Sequence, residues 1–148
     1  MVKRIIPPVV CCVGLLLSLV LDRMVPMIRT NHIWISIVGV FLIAGGLLFA
    51  AWARSLFKRR HIPIRPGDDL TVLETAGPYQ LTRNPMYLGM TAISLGVSFL
   101  LGSLTALTAP LVFWAVMNFV YIPFEEEKLK VTFKSEYTDY MKKVRRWI

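Results

Sequence analysis

Four apolar runs, at 5–21, 33–53, 86–101 and 104–124, restrict this chain to very few architectures. A helix rises about 1.5 Å per residue, so roughly 20 residues cross a hydrocarbon core about 30 Å thick. The second and fourth runs reach that length. The first is short and carries Pro7-Pro8 near its entry, where proline suits a first helical turn. The third gains length only if the polar residues before it are helical. With 55% of 148 residues hydrophobic, a soluble globule of this size has too little interior to hide them. The reading is all-α: one membrane domain over 1–148, a polytopic bundle of about four transmembrane helices, with an N-terminal hairpin at 1–60 and a motif-bearing region at 61–148.

A net charge of +8 would suit a nucleic-acid binder if the cations lined one soluble face. They lie between the apolar runs instead. Fifteen of the 17 Lys and Arg residues precede the first run, separate the second from the third, or follow the fourth; only Arg23 and Arg29 fall in the first connection. Cytosolic segments retain Lys and Arg, so both termini are read as cytosolic, in a prokaryotic inner (cytoplasmic) membrane. The bilayer is the expected partner, and nucleic acid is not. Lys3-Arg4 precedes an apolar stretch with no Ala-x-Ala-like site after it, which reads as a retained first span. Adjacent Cys11 and Cys12 suit packing better than a disulfide or a metal site, His32 and His61 read as surface or loop residues, and no metal is implied.

The stretch 61–82 holds Pro63, Pro66, Gly67, Gly77 and Pro78, which predicts a structured loop. Asp68-Asp69 within it caps a short helix or touches a ligand. After the fourth run, Leu129, Phe133, Tyr137, Tyr140, Met141 and Val144 recur at three- and four-residue intervals, with Lys130, Lys134, Lys142 and Lys143 between them. That spacing predicts a C-terminal amphipathic helix at the membrane surface, anchored by Trp147.

Two polar constellations sit at the cytosolic ends of spans: Gly77-Pro78-Tyr79 leading to Arg83-Asn84-Pro85-Met86-Tyr87-Leu88-Gly89, and Glu125-Glu126-Glu127 after Phe124. Taken alone, a triple glutamate is a solvated helix end, and Asn84-Pro85 is a helix start with Asn as cap. Opposite one another at one membrane face, they make a polar site. Arg83 can pair a carboxylate, Asn84 can donate and accept, and Tyr79 and Tyr87 offer faces to a cation or an aromatic ring. Gly89 permits close approach of a ligand or of a neighbouring helix.

The order Gly-Pro-Tyr, Arg-Asn-Pro-Met-Tyr-Leu-Gly, span, hairpin, span, Glu-Glu-x-x-Leu-x-x-x-Phe-x-x-x-Tyr-x-x-Tyr resembles the isoprenylcysteine carboxyl methyltransferase and phospholipid methyltransferase family, over about 63–147. The resemblance implies a membrane-embedded methyltransferase that uses S-adenosylmethionine, held by the last helices and the C-terminal segment without a Rossmann domain. Carried over by position, Tyr79, Arg83, Asn84, Pro85, Tyr87, Leu88, Gly89, Glu125 and Glu126 would bind the cofactor. Of these, Arg83, Asn84, Tyr87 and Glu126 would orient cofactor and acceptor for catalysis. The acceptor would be a lipid or an apolar small molecule, either a phospholipid amine or a prenylcysteine-like carboxylate.

Three positions depart from the family pattern. Asn84 replaces the histidine common in isoprenylcysteine-type members and resembles phospholipid-type members. Lys134 stands where a glycine often follows the phenylalanine, and Arg145 where a proline often precedes the final arginine. Two other classes fit part of the sequence. A small four-helix transporter would need an ionisable coupling residue inside a span, and the four apolar runs contain none. A nicotinamide-dependent membrane reductase relative would share the helices and bind a different cofactor.

Overall fold

The computed structural model describes residues 7–24, 32–60 and 72–148. Lys3-Arg4 and Arg29, the reading of the N-terminus, His61, Asp68-Asp69 and the first half of the 61–82 loop lie outside the described residues. Helix α1 covers Pro7–Met24, α2 Ile33–Arg59 and α3 Pro85–Leu101; a last helical rod contains α4 Thr108–Val116, a π turn Met117–Tyr121 and α5 Ile122–Lys143. No strand occurs among the described residues. Among the described residues three helices are long and apolar enough to cross a membrane, Pro7–Met24, Ile33–Arg59 and Thr105–Lys143, with Pro85–Leu101 a shorter apolar fourth. This is an all-α membrane bundle and an integral membrane protein.

The third span is not lengthened by the residues before it. Gly77–Gln80 forms a single 3₁₀ turn, with Pro78 supplying a preset φ, and α3 begins only at Pro85. Gly77 has a φ of +58°, and a side chain there would press on Trp52 and Leu56 of α2. Asp22 also departs from the sequence reading. Helix α1 runs past the apolar stretch to Met24, so Asp22 lies buried in its last turn, hydrogen-bonded by Ser103 of the α3–α4 connection. Gly102, with a φ of 60°, ends α3 in the left-handed conformation that opens this connection.

Helices α2 and α3 are antiparallel neighbours that touch backbone to backbone. A Cβ on Gly46 would stand 2.6 Å from the Gly89 carbonyl oxygen, and one on Gly39 would stand 2.8 Å from that of Gly96. The seven-residue spacing on each helix stacks both contacts on one face. On the other side, Cys11, Tyr87, Phe113, Met117, Tyr121 and Ile122 form a core between α1, α3 and the last rod.

The fourth span and the amphipathic segment are one continuous rod, bent toward its C-terminal end. Pro123 lacks an N–H and crowds the carbonyl four residues earlier, and the chain widens to a π turn over Met117–Tyr121 just before it. Farther on, Lys134 has φ 46° and ψ −116°, non-helical values inside α5. A straight helix would hold residues 126 and 146 about 30 Å apart. The chain instead turns back, and their side chains touch. Past the bend, Tyr137 and Tyr140 are buried while Lys130, Lys134, Lys142 and Lys143 are exposed, as the amphipathic spacing predicts.

Candidate active site

Three segments converge at one end of the bundle: the turn 77–84 leading into α3, the stretch of the rod around Glu125-Glu126, and the returning tail 144–147. The tail lies along the turn like a short added strand. Arg83 N–H donates to the Arg145 carbonyl (3.0 Å), while the Thr82 hydroxyl (3.0 Å) and Asn84 Nδ2 (2.9 Å) both donate to the Arg146 carbonyl. Asn84 occupies the N-cap position of α3, but its side chain makes no cap bond. Its amide is spent on the tail instead.

Arg146 then points its guanidinium back at the rod. Nη2 and Nε donate to the two oxygens of Glu126, at 2.6 and 3.1 Å, and Nη1 reaches the Asn118 side chain at 3.3 Å. Trp147 Nε1 donates to the same Asn118 oxygen, 3.0 Å away, so the tryptophan anchors the tail onto the π turn. Arg83 Nη1 stands 3.2 Å from Glu126 Oε1, close enough for an ion pair but off the line of a hydrogen bond. Glu126 is 7% exposed and so lies between two guanidinium groups. Charge-assisted bonds of this kind contribute about 1.5–3 kcal/mol each.

Glu125 and Tyr87 form a second pair, the Tyr87 hydroxyl donating to Glu125 Oε1 at 2.7 Å. Tyr79 is fixed from two sides. Its ring stacks on Phe57 of α2 with centroids 5.4 Å apart, and its carbonyl accepts from the Tyr140 hydroxyl at 2.6 Å. Burial, with Tyr140, Glu74 and Glu125 nearby, pushes the Tyr79 phenol well above its ordinary ionisation range, so it stays a neutral donor. Glu74 braces the turn from behind, pairing with Arg60 at 3.1 Å and accepting from the Ala76 N–H at 2.9 Å.

Several buried polar atoms lack a hydrogen bond, Arg83 Nη1 having only its ion pair with Glu126. Arg83 Nε and Nη1 and the Tyr79 hydroxyl are buried and make no hydrogen bond among the described residues. Buried donors are rarely left this way in native proteins, and an unsatisfied one costs about 1–3 kcal/mol. They suit a ligand that carries a carboxylate and hydroxyl or ring acceptors.

Arg83, Asn84, Tyr79, Tyr87, Glu125 and Glu126 thus all reach one polar cluster at one end of the bundle. Pro85 opens α3, and Leu88 is half-buried on its first turn, its N–H donating to the Asn84 carbonyl at 3.0 Å. Gly89 meets α2: a Cβ there would lie 2.7 Å from the Gly46 carbonyl oxygen and 2.8 Å from Ala50. Of the two approaches a glycine permits, this is the neighbouring helix. Sequence reasoning passed over Arg146, Thr82, Asn118 and Tyr140. The three-residue step between Tyr137 and Tyr140 was the available sign for the last, and for Arg146 it was its place as the final arginine of the family pattern.

No curated protein and no solved structure matches the chain. The profile of the phospholipid methyltransferase family matches residues 34–136, taking in α2, the Arg83–Gly89 segment and the acidic pair while stopping short of the tail that closes the site. Over more than half of its length, and with both polar constellations included, the chain belongs to the phospholipid methyltransferase family.

Proposed function

We propose that this protein transfers a methyl group from S-adenosylmethionine, at the cytosolic face of the membrane, to an acceptor carried by the bilayer. The observation that supports this most is the set of buried donors that make no hydrogen bond among the described residues, Arg83 Nε and Nη1 and the Tyr79 hydroxyl, at the polar end of an apolar bundle. The donor supplies an electrophilic methyl group on a sulfonium. Arg83 would hold its carboxylate, and Tyr79 would donate to a hydroxyl or ring acceptor. Asn84, Pro85 and Leu88 at the opening of α3, with Tyr87, would line the same cleft. Orienting two reactants and excluding water can carry much of the rate of such a displacement, so no protein nucleophile is required.

A position just beyond Phe124 and just before Pro85 is headgroup depth. A bilayer-borne acceptor is already concentrated and partly desolvated there. Asn84 in place of histidine favours an amine-bearing phospholipid over a prenylcysteine. Both termini face the cytosol in this reading, and residues 61–148 carry the chemistry while 1–60 form the supporting hairpin.

Calorimetry of the purified protein should give heat with S-adenosylmethionine and none with NADPH; the reverse would favour a reductase. With radiolabelled methyl donor added outside, inverted membrane vesicles should place label in the organic phase, and sealed right-side-out vesicles should not. Label confined to water-soluble products would end the lipid acceptor while leaving the methyltransferase standing.

A further inference from the structure

Glu74 stands outside both polar constellations, and its two carboxylate oxygens are used unequally. Oε1 accepts from the Ala76 N–H at 2.9 Å, which fixes the chain that leads into Gly77. Oε2 lies 3.1 Å from Arg60 Nε, close enough for an ion pair, yet it is buried and accepts no hydrogen bond among the described residues. The side chain is 1% exposed, so bulk water does not serve it. Arg60 already balances the charge. What Oε2 lacks is a hydrogen-bond donor, and a buried oxygen left without one is unfavourable.

The Tyr79 hydroxyl is the complementary case. It is buried five residues farther on and also makes no hydrogen bond among the described residues. Burial keeps this phenol protonated, and Glu74 is one of the charges near enough to add to that effect. Oε2 therefore needs a proton donor, and Tyr79 has a proton to give. The two do not bond each other, so one group that accepts from Tyr79 and donates to Glu74 would complete both. A hydroxyl does this; an ammonium cannot accept and a carboxylate cannot donate.

We propose that Glu74 is a further ligand of the methyl donor, its Oε2 accepting from the ribose hydroxyls while the Tyr79 hydroxyl donates to one of them. The inference rests on reading the site as one for S-adenosylmethionine, and it adds to the donor contacts of Arg83, Glu125 and Glu126 without displacing them. Because Arg60 neutralises Glu74, a neutral diol suits it better than the donor's ammonium. The amino edge of adenine offers the same pair of groups, but a planar base needs an aromatic face beside it, and the Tyr79 ring is stacked on Phe57.

Calorimetry of wild type and Glu74→Gln tests this with S-adenosylhomocysteine, its 2′,3′-dideoxy analogue and its inosine analogue. The glutamine keeps an oxygen for the Ala76 N–H. Wild type should bind the dideoxy compound roughly 10- to 100-fold more weakly than the parent, and the inosine compound within about threefold of it. Glu74→Gln should lose roughly tenfold in affinity for the parent and less than about twofold for the dideoxy compound, which has no hydroxyls for the carboxylate to hold. Equal losses for the two compounds would make Glu74 a brace of the turn and overturn the assignment. Should the variant not fold, wild type alone decides. A dideoxy compound bound as tightly as the parent, or a large loss confined to the inosine compound, overturns the ribose contact and leaves the methyltransferase reading standing. Wild type that binds neither S-adenosylmethionine nor any of the three compounds overturns both.

Discussion

The seam between α2 and α3 and the clasp around Glu126 bring chain segments together by opposite means. In the seam, Gly39, Gly46, Gly89 and Gly96 let two backbones meet, with Cβ-to-carbonyl distances that would fall to 2.5–2.8 Å if any of them had a side chain. Nothing there is charged, and in lipid such contacts depend on close packing, because hydrocarbon tails are as apolar as the helices. In the clasp, Arg146, Glu126, Arg83, Thr82 and Asn84 are joined by directed bonds between charged or polar groups. The seam has no room and no chemistry. The clasp has chemistry and leaves donors over, which is why the candidate site lies at one and not at the other.

The comparison breaks most sharply at Gly89. Replacing it with valine pushes a side chain into the Gly46 carbonyl and Ala50, and overpacking of this kind costs about 3 kcal/mol. Thermal unfolding in detergent should report that loss equally at low and high salt. Arg146→Met comes next, leaving Glu126 buried with Arg83 as its remaining partner, at an expected cost of about 2 kcal/mol. Donor affinity should fall along with stability in this variant, whereas Gly89→Val protein that remains folded should keep its Glu126 ion pairs. A folded Arg146→Met protein with undiminished donor affinity would remove the clasp from the site. The smallest effect is a gain. Lys134→Gly relieves a positive-φ residue worth about 1–3 kcal/mol of strain and forfeits about 0.5–1 kcal/mol of chain entropy, so a net stabilisation of about 1 kcal/mol should appear in the same melts.

The apolar runs announced the helices because a membrane imposes a length and a composition that few soluble segments imitate. Arg83, Asn84, Tyr87 and the acidic pair were legible for a related reason: each stands within a few residues of a span end, so topology alone carried them to one face. Arg146 was not. The family pattern marked it as a final arginine but gave it no partner, and its meeting with Glu126 depends on the reversal at Lys134. The sign of that bend was the glycine that often stands at position 134 in the family, and Lys134 takes a glycine-like positive φ there. Asp22 escaped for a simpler reason. It follows the last apolar residue of its run, and hydropathy ends one residue before the helix takes it in.

The tail bonds impose an order on biosynthesis. Arg145 and Arg146 are translated after every helix they tie together, and their carbonyls are what the Arg83, Thr82 and Asn84 donors wait for. All four apolar segments can enter the bilayer while those donors are still solvated at its surface. The bonds made by Arg145 and Arg146 therefore form only after the helices they join have been made, so insertion of those helices and closure of this cluster are separate events in time.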